Sequence, residues 1–209
     1  MCSSDLGITS GNDVSLRDSG ALDLAASTVS GTLLVVAGGA ITDSGVLAVS
    51  GLATFAAGSG NNITLDAVNN FSAVAITSGN NVTLNDAGAI DLAASTVSGN
   101  LVVTAGGAVG NTGKLDITGT TSVTAKTTGP DTYYNVSLGE ATNDFTGAVS
   151  LTGLNVAVVN GGALLLGPGV ATDTYSATAA IGNITQQPFP AQGLTVTGLA
   201  TFKIGRAHV

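Results

Sequence analysis

The sequence predicts an all-β chain wound as a right-handed parallel β-helix (a β-solenoid), and three observations predict it. The chain repeats itself: a shift of 68 residues lays Ile8–Ala57 over Ile76–Ala125 with 29 of 50 positions identical, and "DLAASTVSG" at 23–31 returns unaltered at 91–99. Within each copy the recurring unit is an apolar–small–apolar triplet, too short for a conventional sheet strand. Between the triplets stand Gly-Asn, Gly-Gly and Asp-Ser-Gly clusters, which permit sharp bends.

Taken in order, the first copy offers Val14-Ser15-Leu16, Leu22-Asp23-Leu24, Leu33-Leu34-Val35, Leu47-Ala48-Val49, Ile63-Thr64-Leu65 and Val74-Ala75-Ile76. The second answers with Val82-Thr83-Leu84, Ile90-Asp91-Leu92, Leu101-Val102-Val103 and Leu115-Asp116-Ile117. Alternation of period two sends the outer residues of a triplet to one face and the middle residue to the other. A third, more degenerate copy begins near Leu151, ends in "GLATF" at 198–202 as at 51–55, and carries an insertion, "QQPFPAQ" at 186–192. The copies thus run approximately 8–75, 76–150 and 151–202.

Strands this short gain stability by stacking in parallel, coil on coil, about 4.8 Å apart. The pattern predicts about three coils per copy, each of roughly 20–25 residues, with a core column of small aliphatic side chains. Equivalent residues are then expected a whole number of coils apart, on the same wall. Leu22 and Leu24 would point inward in line with Ile90 and Leu92, at roughly 14 Å, with Asp23 and Asp91 facing water. An immunoglobulin-like sandwich calls for longer strands and an aromatic core. A transmembrane barrel calls for strands of about ten residues and aromatic girdles. Neither is seen.

Composition narrows the function classes. Five Lys and Arg face thirteen Asp and Glu, a net charge of −8, which argues against nucleic acid and anionic membrane surfaces. The chain has 4% aromatic residues, no Trp and 30 Gly, unlike an ordinary globular core. Its mean hydropathy of +0.46 is too apolar for a disordered tract. No apolar run approaches the ~20 residues of a membrane-spanning helix, and no signal peptide is visible. The two ends, "MCSSDL" (1–6) and "KIGRAHV" (203–209), share neither the composition nor the rhythm of residues 7–202. Both resemble translations of sequencing-adapter DNA, and they are set aside in the fold reading. With them go Cys2, His208 and Met1, the only residues of their kinds.

The repeats "SGNNVTLNDAGAIDLAASTVSGNLVVTAGGAV" (78–109) and "NDFTGAVSLTG" (143–153) resemble the passenger repeats of filamentous-haemagglutinin-like exoproteins, secreted by two-partner or autotransporter routes. The resemblance implies a parallel β-helix projecting from a bacterial cell surface, a secreted location, and an outer-membrane transporter as partner during export. It implies a stalk segment of a large adhesin, presenting adhesive regions to a host protein or glycan. An isolated segment of this kind is expected to self-associate through unpaired strand edges.

No catalytic, cofactor or metal residues are assigned, and the chain is expected to be non-enzymatic. The alternative is a β-helical polysaccharide lyase or glycosidase, since the fold hosts such enzymes. Their chemistry needs convergent carboxylates, usually with Arg, Lys or His. Between residues 7 and 202 there is no His or Cys, and the basic residues are Arg17, Lys114 and Lys126. Asp18 and Asp23 could pass for a pair, yet both recur as Asp86 and Asp91, which fits scaffold better than chemistry. Asp13, Asp18, Asp43 and Asp86 fit turn capping, with no calcium-loop spacing around them. Asn62, Asn70, Asn81, Asn135 and Asn183 begin N-x-Ser/Thr sequons that an Asn turn followed by a strand produces by itself. Binding falls to whatever breaks the repeat: Tyr133 and Tyr134 in "TTGPDTYY" (127–134), and Phe189 between two prolines.

Overall fold

The computed structural model describes residues 5–127, 129, 131–188 and 193–205. These residues form a parallel β-solenoid of about nine turns, without helix. Each turn has three strand segments, and those at the triplets alternate in burial: Leu22-Asp23-Leu24 and Ile90-Asp91-Leu92 both bury the outer residues and leave the Asp half-exposed. Ser27–Val29, Ile41–Asp43, Ser95–Val97 and Val109–Asn111 are strands that the triplets do not include. The strands stack into three walls.

On the first wall the ladder runs Leu22, Ile41, Ile63, Val82, Leu101, Thr121, Val149, each residue paired in parallel with the next. On the second it runs Val29, Val49, Phe71 and resumes as Ile90, Val109, Val136, Val156, Tyr175, Ala200. The third runs Val14, Leu33, Ala53, Val74 and resumes with Ser95–Val97 over Leu115–Ile117, Val97 bridging Gly79. The long strand Ile63–Ser78 turns the corner between these two walls, so that its Val74 pairs Ala53 on one side and Leu92 on the other. Rungs on the first wall follow one another at about 20 residues.

This register corrects the expectation that equivalent residues share a wall. The ladder that starts at Leu22 reaches Leu101, whereas the 68-residue counterpart of Leu101 is Leu33, on the third wall. The counterpart of Leu22, Ile90, lies on the second wall. From Val14–Asp18 up to Val82–Asp86 one copy holds seven strands, of which Leu47–Ala56 bends over two walls and Ile63–Ser78 over three; counted wall by wall that is ten segments, and three segments make a turn. A repeat therefore spans three and one third turns and moves every equivalent position round by one wall. The inward or outward sense of the triplet residues is kept, because both walls have the same pleat, whereas Asp18 is exposed and its counterpart Asp86 is buried.

Corners are made by residues that accept the backbone of the adjacent rung. Asp13 Oδ1 accepts the Thr32 N–H and hydroxyl (2.8 and 2.9 Å), and 68 residues later Asn81 Oδ1 accepts the Asn100 N–H (3.0 Å). Asn155 does the same for Thr174. These three corners precede strands of three different walls, so the same bond walks round the axis with the repeat. Ser27 and Ser95 likewise each accept the N–H of Ile8 or Ile76 and donate to the carbonyl two residues back. At Gly38 and Gly106 an added Cβ would run into the Ser19 and Ala87 carbonyls of the adjacent rung, so these two corners admit no side chain.

The core is one continuous column of Val, Leu, Ile and Ala, but it also takes Phe55, Phe71, Phe145 and Tyr175, all essentially buried. Phe55 and Phe71 meet edge to face with centroids 6.1 Å apart. The described parts of both ends join the ladders: Asp5–Leu6 pairs with Asp23–Leu24, and Ala200–Ile204 pairs with Tyr175–Ala179. Each of these outer strands is paired on one side among the described residues, and Leu199, Phe202 and Ile204 are at least half-exposed there. The 209-residue chain is therefore expected to self-associate end to end. A concentration-independent monomer in light scattering would contradict this.

Candidate functional site

The strongest departure from the coil follows Ala125. In the first copy the equivalent corner, after Ala57, is a tight turn in which Gly58 has φ +81° and Asn61 Nδ2 donates to the Ala57 carbonyl at 2.8 Å. In the second copy a hairpin leaves the coil instead. Lys126 bridges Tyr133 in antiparallel fashion, and the Thr127 N–H donates to the Thr132 carbonyl at 3.0 Å. Lys126 Nζ lies 2.9 Å from Asp131 and 5.6 Å from the Tyr133 ring centroid. The hydrogen bond to Asp131 raises the Lys126 pKa, with the Asp131 and Tyr133 charges adding to it against some desolvation. The ammonium is thus held as a cation against an aromatic face.

Of the sequence candidates, Tyr133 belongs to this hairpin and is half-buried by it. Tyr134 is not presented outward. It packs against the core, its N–H bonds the Ala125 carbonyl and its carbonyl accepts from Leu154, because the chain re-enters the coil at that residue. Phe189 lies outside the described residues.

A second departure stands at the same corner, between the first and second walls. The strand Ile63–Ser78 slips against Val82–Asp86 between Leu65 and Asn69, pushing Asp66–Val68 outward. Asp43 secures this bulge: its Oδ1 accepts the Asp66 and Ala67 N–H groups (2.9 and 3.3 Å) and its Oδ2 accepts Asn69 Nδ2 at 2.6 Å. Burial raises the Asp43 pKa against those hydrogen bonds. Val68, at the tip, is 58% exposed. Between bulge and hairpin lies a cleft of about 220 Å³.

The carboxylates weighed as a catalytic pair are occupied separately. Asp18 caps Gly20 (2.6 Å), Asp23 accepts the Thr42 hydroxyl (2.7 Å) and Asp91 the Thr112 hydroxyl (2.6 Å). Asp86 is buried and accepts the Phe71 N–H at 2.6 Å and the Gly88 N–H at 2.9 Å. Among the described residues no group of three or more His, Cys, Asp or Glu is placed to hold a metal ion. Chelation with EDTA is expected to leave the melting temperature unchanged; a large drop would restore a calcium reading.

Sequence reasoning missed the buried polar corners: Asn69, Asp86, Asn143 and Asn160 turn inward and accept the N–H of Leu47, Phe71, Leu115 and Phe145. The available signal was the Asn or Asp closing a strand just before a corner, as in "VNNF" and "VVNGG". Asp86 and Asn160 occupy the same place, and burial raises the Asp86 pKa more than its two backbone bonds lower it. A carboxyl whose folded pKa lies above its unfolded value binds protons preferentially in the folded state, so unfolding free energy rises as pH falls through the folded pKa. Asp86→Asn removes the buried charge but also one of the two acceptor oxygens, so its melting temperature relative to wild type is expected to be most favourable at pH 7 and to fall behind as the pH drops toward 4. Thermal melts of both proteins across that window check it; a difference between the two that does not change with pH contradicts it.

A three-walled solenoid with the bulge and the hairpin on one of its corners defines a repeat protein, in which the coil is scaffold and the excursions carry what varies. The chain belongs to the family described as Repeats of unknown function (DUF5649), whose model matches residues 11–78, 79–152 and 153–209. Comparison with curated proteins and with solved structures finds no significant match.

Proposed function

We propose that this chain is a stalk segment of a large secreted bacterial surface adhesin of the filamentous-haemagglutinin-like kind, non-enzymatic, with its corner loops outward. The observation that supports it is the continuity of the ladder from Asp5 to Ile204, in which each rung is paired with its neighbours whatever the wall. Such a rod gains length by adding rungs and needs no globular core. Strand pairing joins each turn to the next, so folding propagates as the chain emerges from a transporter, and residues 7–202 carry no Cys to cross-link in an oxidising compartment.

The reading is tested by splicing the chain in place of an equal length of β-helical passenger in a two-partner-secreted exoprotein. Export and protease-accessible display on intact cells are expected. Retention in the periplasm would overturn it, as would turnover of any member of a polysaccharide panel by the purified chain.

A further inference from the structure

We infer that the corner between the bulge Asp66–Val68 and the hairpin Lys126–Tyr133 is a binding site for a neutral oligosaccharide. Two unrelated excursions flank one stretch of the same corner, three rungs apart along the ladder Ile63, Val82, Leu101, Thr121. At about 4.8 Å per rung that is roughly 14 Å, open enough for a short sugar chain. The coil demands neither excursion. The first copy closes the hairpin's corner with a tight turn, and the rungs between the two excursions pair without a register break.

Both flanks are organised before any ligand arrives. Asp43 clamps the bulge with three hydrogen bonds, and an ion pair, a ring contact and a backbone bond join Lys126 and Thr127 to Asp131, Thr132 and Tyr133 at the base of the hairpin. Pre-organised loops lose little conformational entropy on binding.

The lining selects the ligand class. Val68, Ala87 and Gly106 offer an apolar surface suited to the C–H face of a pyranose, while Thr104, Thr127 and Lys126 bring hydroxyl and ammonium groups to its rim. An anionic ligand would meet Asp86 on the lining and compete with Asp131 for Lys126 on a chain of net charge −8. A bare cation finds no group of three carboxylates among the described residues. This goes beyond the stalk reading, which needs no ligand.

The test uses the 209-residue chain and isothermal calorimetry against neutral gluco-, galacto-, manno- and N-acetylglucosamine oligosaccharides, with sialylated and sulfated ones alongside. Binding to at least one neutral oligosaccharide is expected, weakened at least about tenfold by Val68→Asp and by Lys126→Met. A variant in which the hairpin is replaced by the Gly58–Asn61 turn should keep the wild-type melt and bind no sugar. Absence of neutral-sugar binding at millimolar concentration, binding confined to the acidic sugars, or binding unchanged in all three variants would overturn the assignment. A stalk that binds nothing would still be exported, so the two readings fail separately.

Discussion

Phe55→Ala is expected to cost about 3–5 kcal/mol of unfolding free energy, among the largest losses available in this chain. Phe55 is fully buried in the third wall, in register with Val35 on one side and Ile76 on the other, and its ring meets Phe71 edge to face. The ladder fixes the rungs at their spacing, so the walls cannot close over the void as a helix pair can by sliding. Most of the cavity therefore persists, and its cost adds to the lost transfer energy. Leu52→Ala, three residues earlier and 38% exposed, should cost under about 1 kcal/mol. Urea unfolding of the two variants compares them. A Phe55 loss no larger than that of Leu52 would mean that the column repacks freely and that register does not hold the walls apart.

The strands that open and close on an aliphatic residue were legible because each states its inward face in three letters, and Leu22-Asp23-Leu24 or Leu115-Asp116-Ile117 bury as their pattern says. Those with a polar residue at one inward end, such as Ser27–Val29 and Ile41–Asp43, were not, and so three strands per turn were read as two. The wall on which each lies was not legible. Nothing in a triplet marks the wall that receives it; ten wall segments per repeat at three to a turn leave one over. The reading assumed two or so triplets per turn and a whole number of turns per copy, so it placed Leu22 in line with Ile90. Val82 and Leu101 are in line with it instead.

The aromatic residues were underestimated for a related reason. A column read as small aliphatic left no place for Phe55, Phe71 and Phe145, yet the three-walled column buries all three, Phe55 and Phe71 edge to face. At the candidate site the sequence exposed the hairpin, since "TTGPDTYY" breaks the repeat, but not the bulge at Asp66–Val68, which uses ordinary repeat letters. That bulge depends on Asp43, 23 residues upstream of Asp66 and one rung away, a partner that only the register supplies. Which of Tyr133 and Tyr134 packs back on the core was not legible, because the point at which an excursion rejoins the coil is set by the ladder bond to Ala125 rather than by residue type.

Asn143→Ala is expected to destabilise the chain by about 3–5 kcal/mol, far more than its small volume change suggests. The side chain is fully buried and saturated: Oδ1 accepts the Leu115 N–H and Asn111 Nδ2, each at 2.9 Å, while Nδ2 donates to the Leu138 and Val159 carbonyls at 3.3 Å. It ties together three stretches of chain distant in sequence. Truncation leaves a buried backbone donor and two carbonyls short of partners, each unmet group costing about 1–3 kcal/mol. Asn143→Asp separates the contributions. It keeps the acceptor but loses both donated bonds and buries a charge, so its deficit should narrow as the pH falls and the carboxyl takes up a proton. Urea unfolding at pH 7 and pH 4 measures both variants. If Asn143→Ala costs no more than a surface substitution, water satisfies this corner and the inward amides are not what fixes the turn.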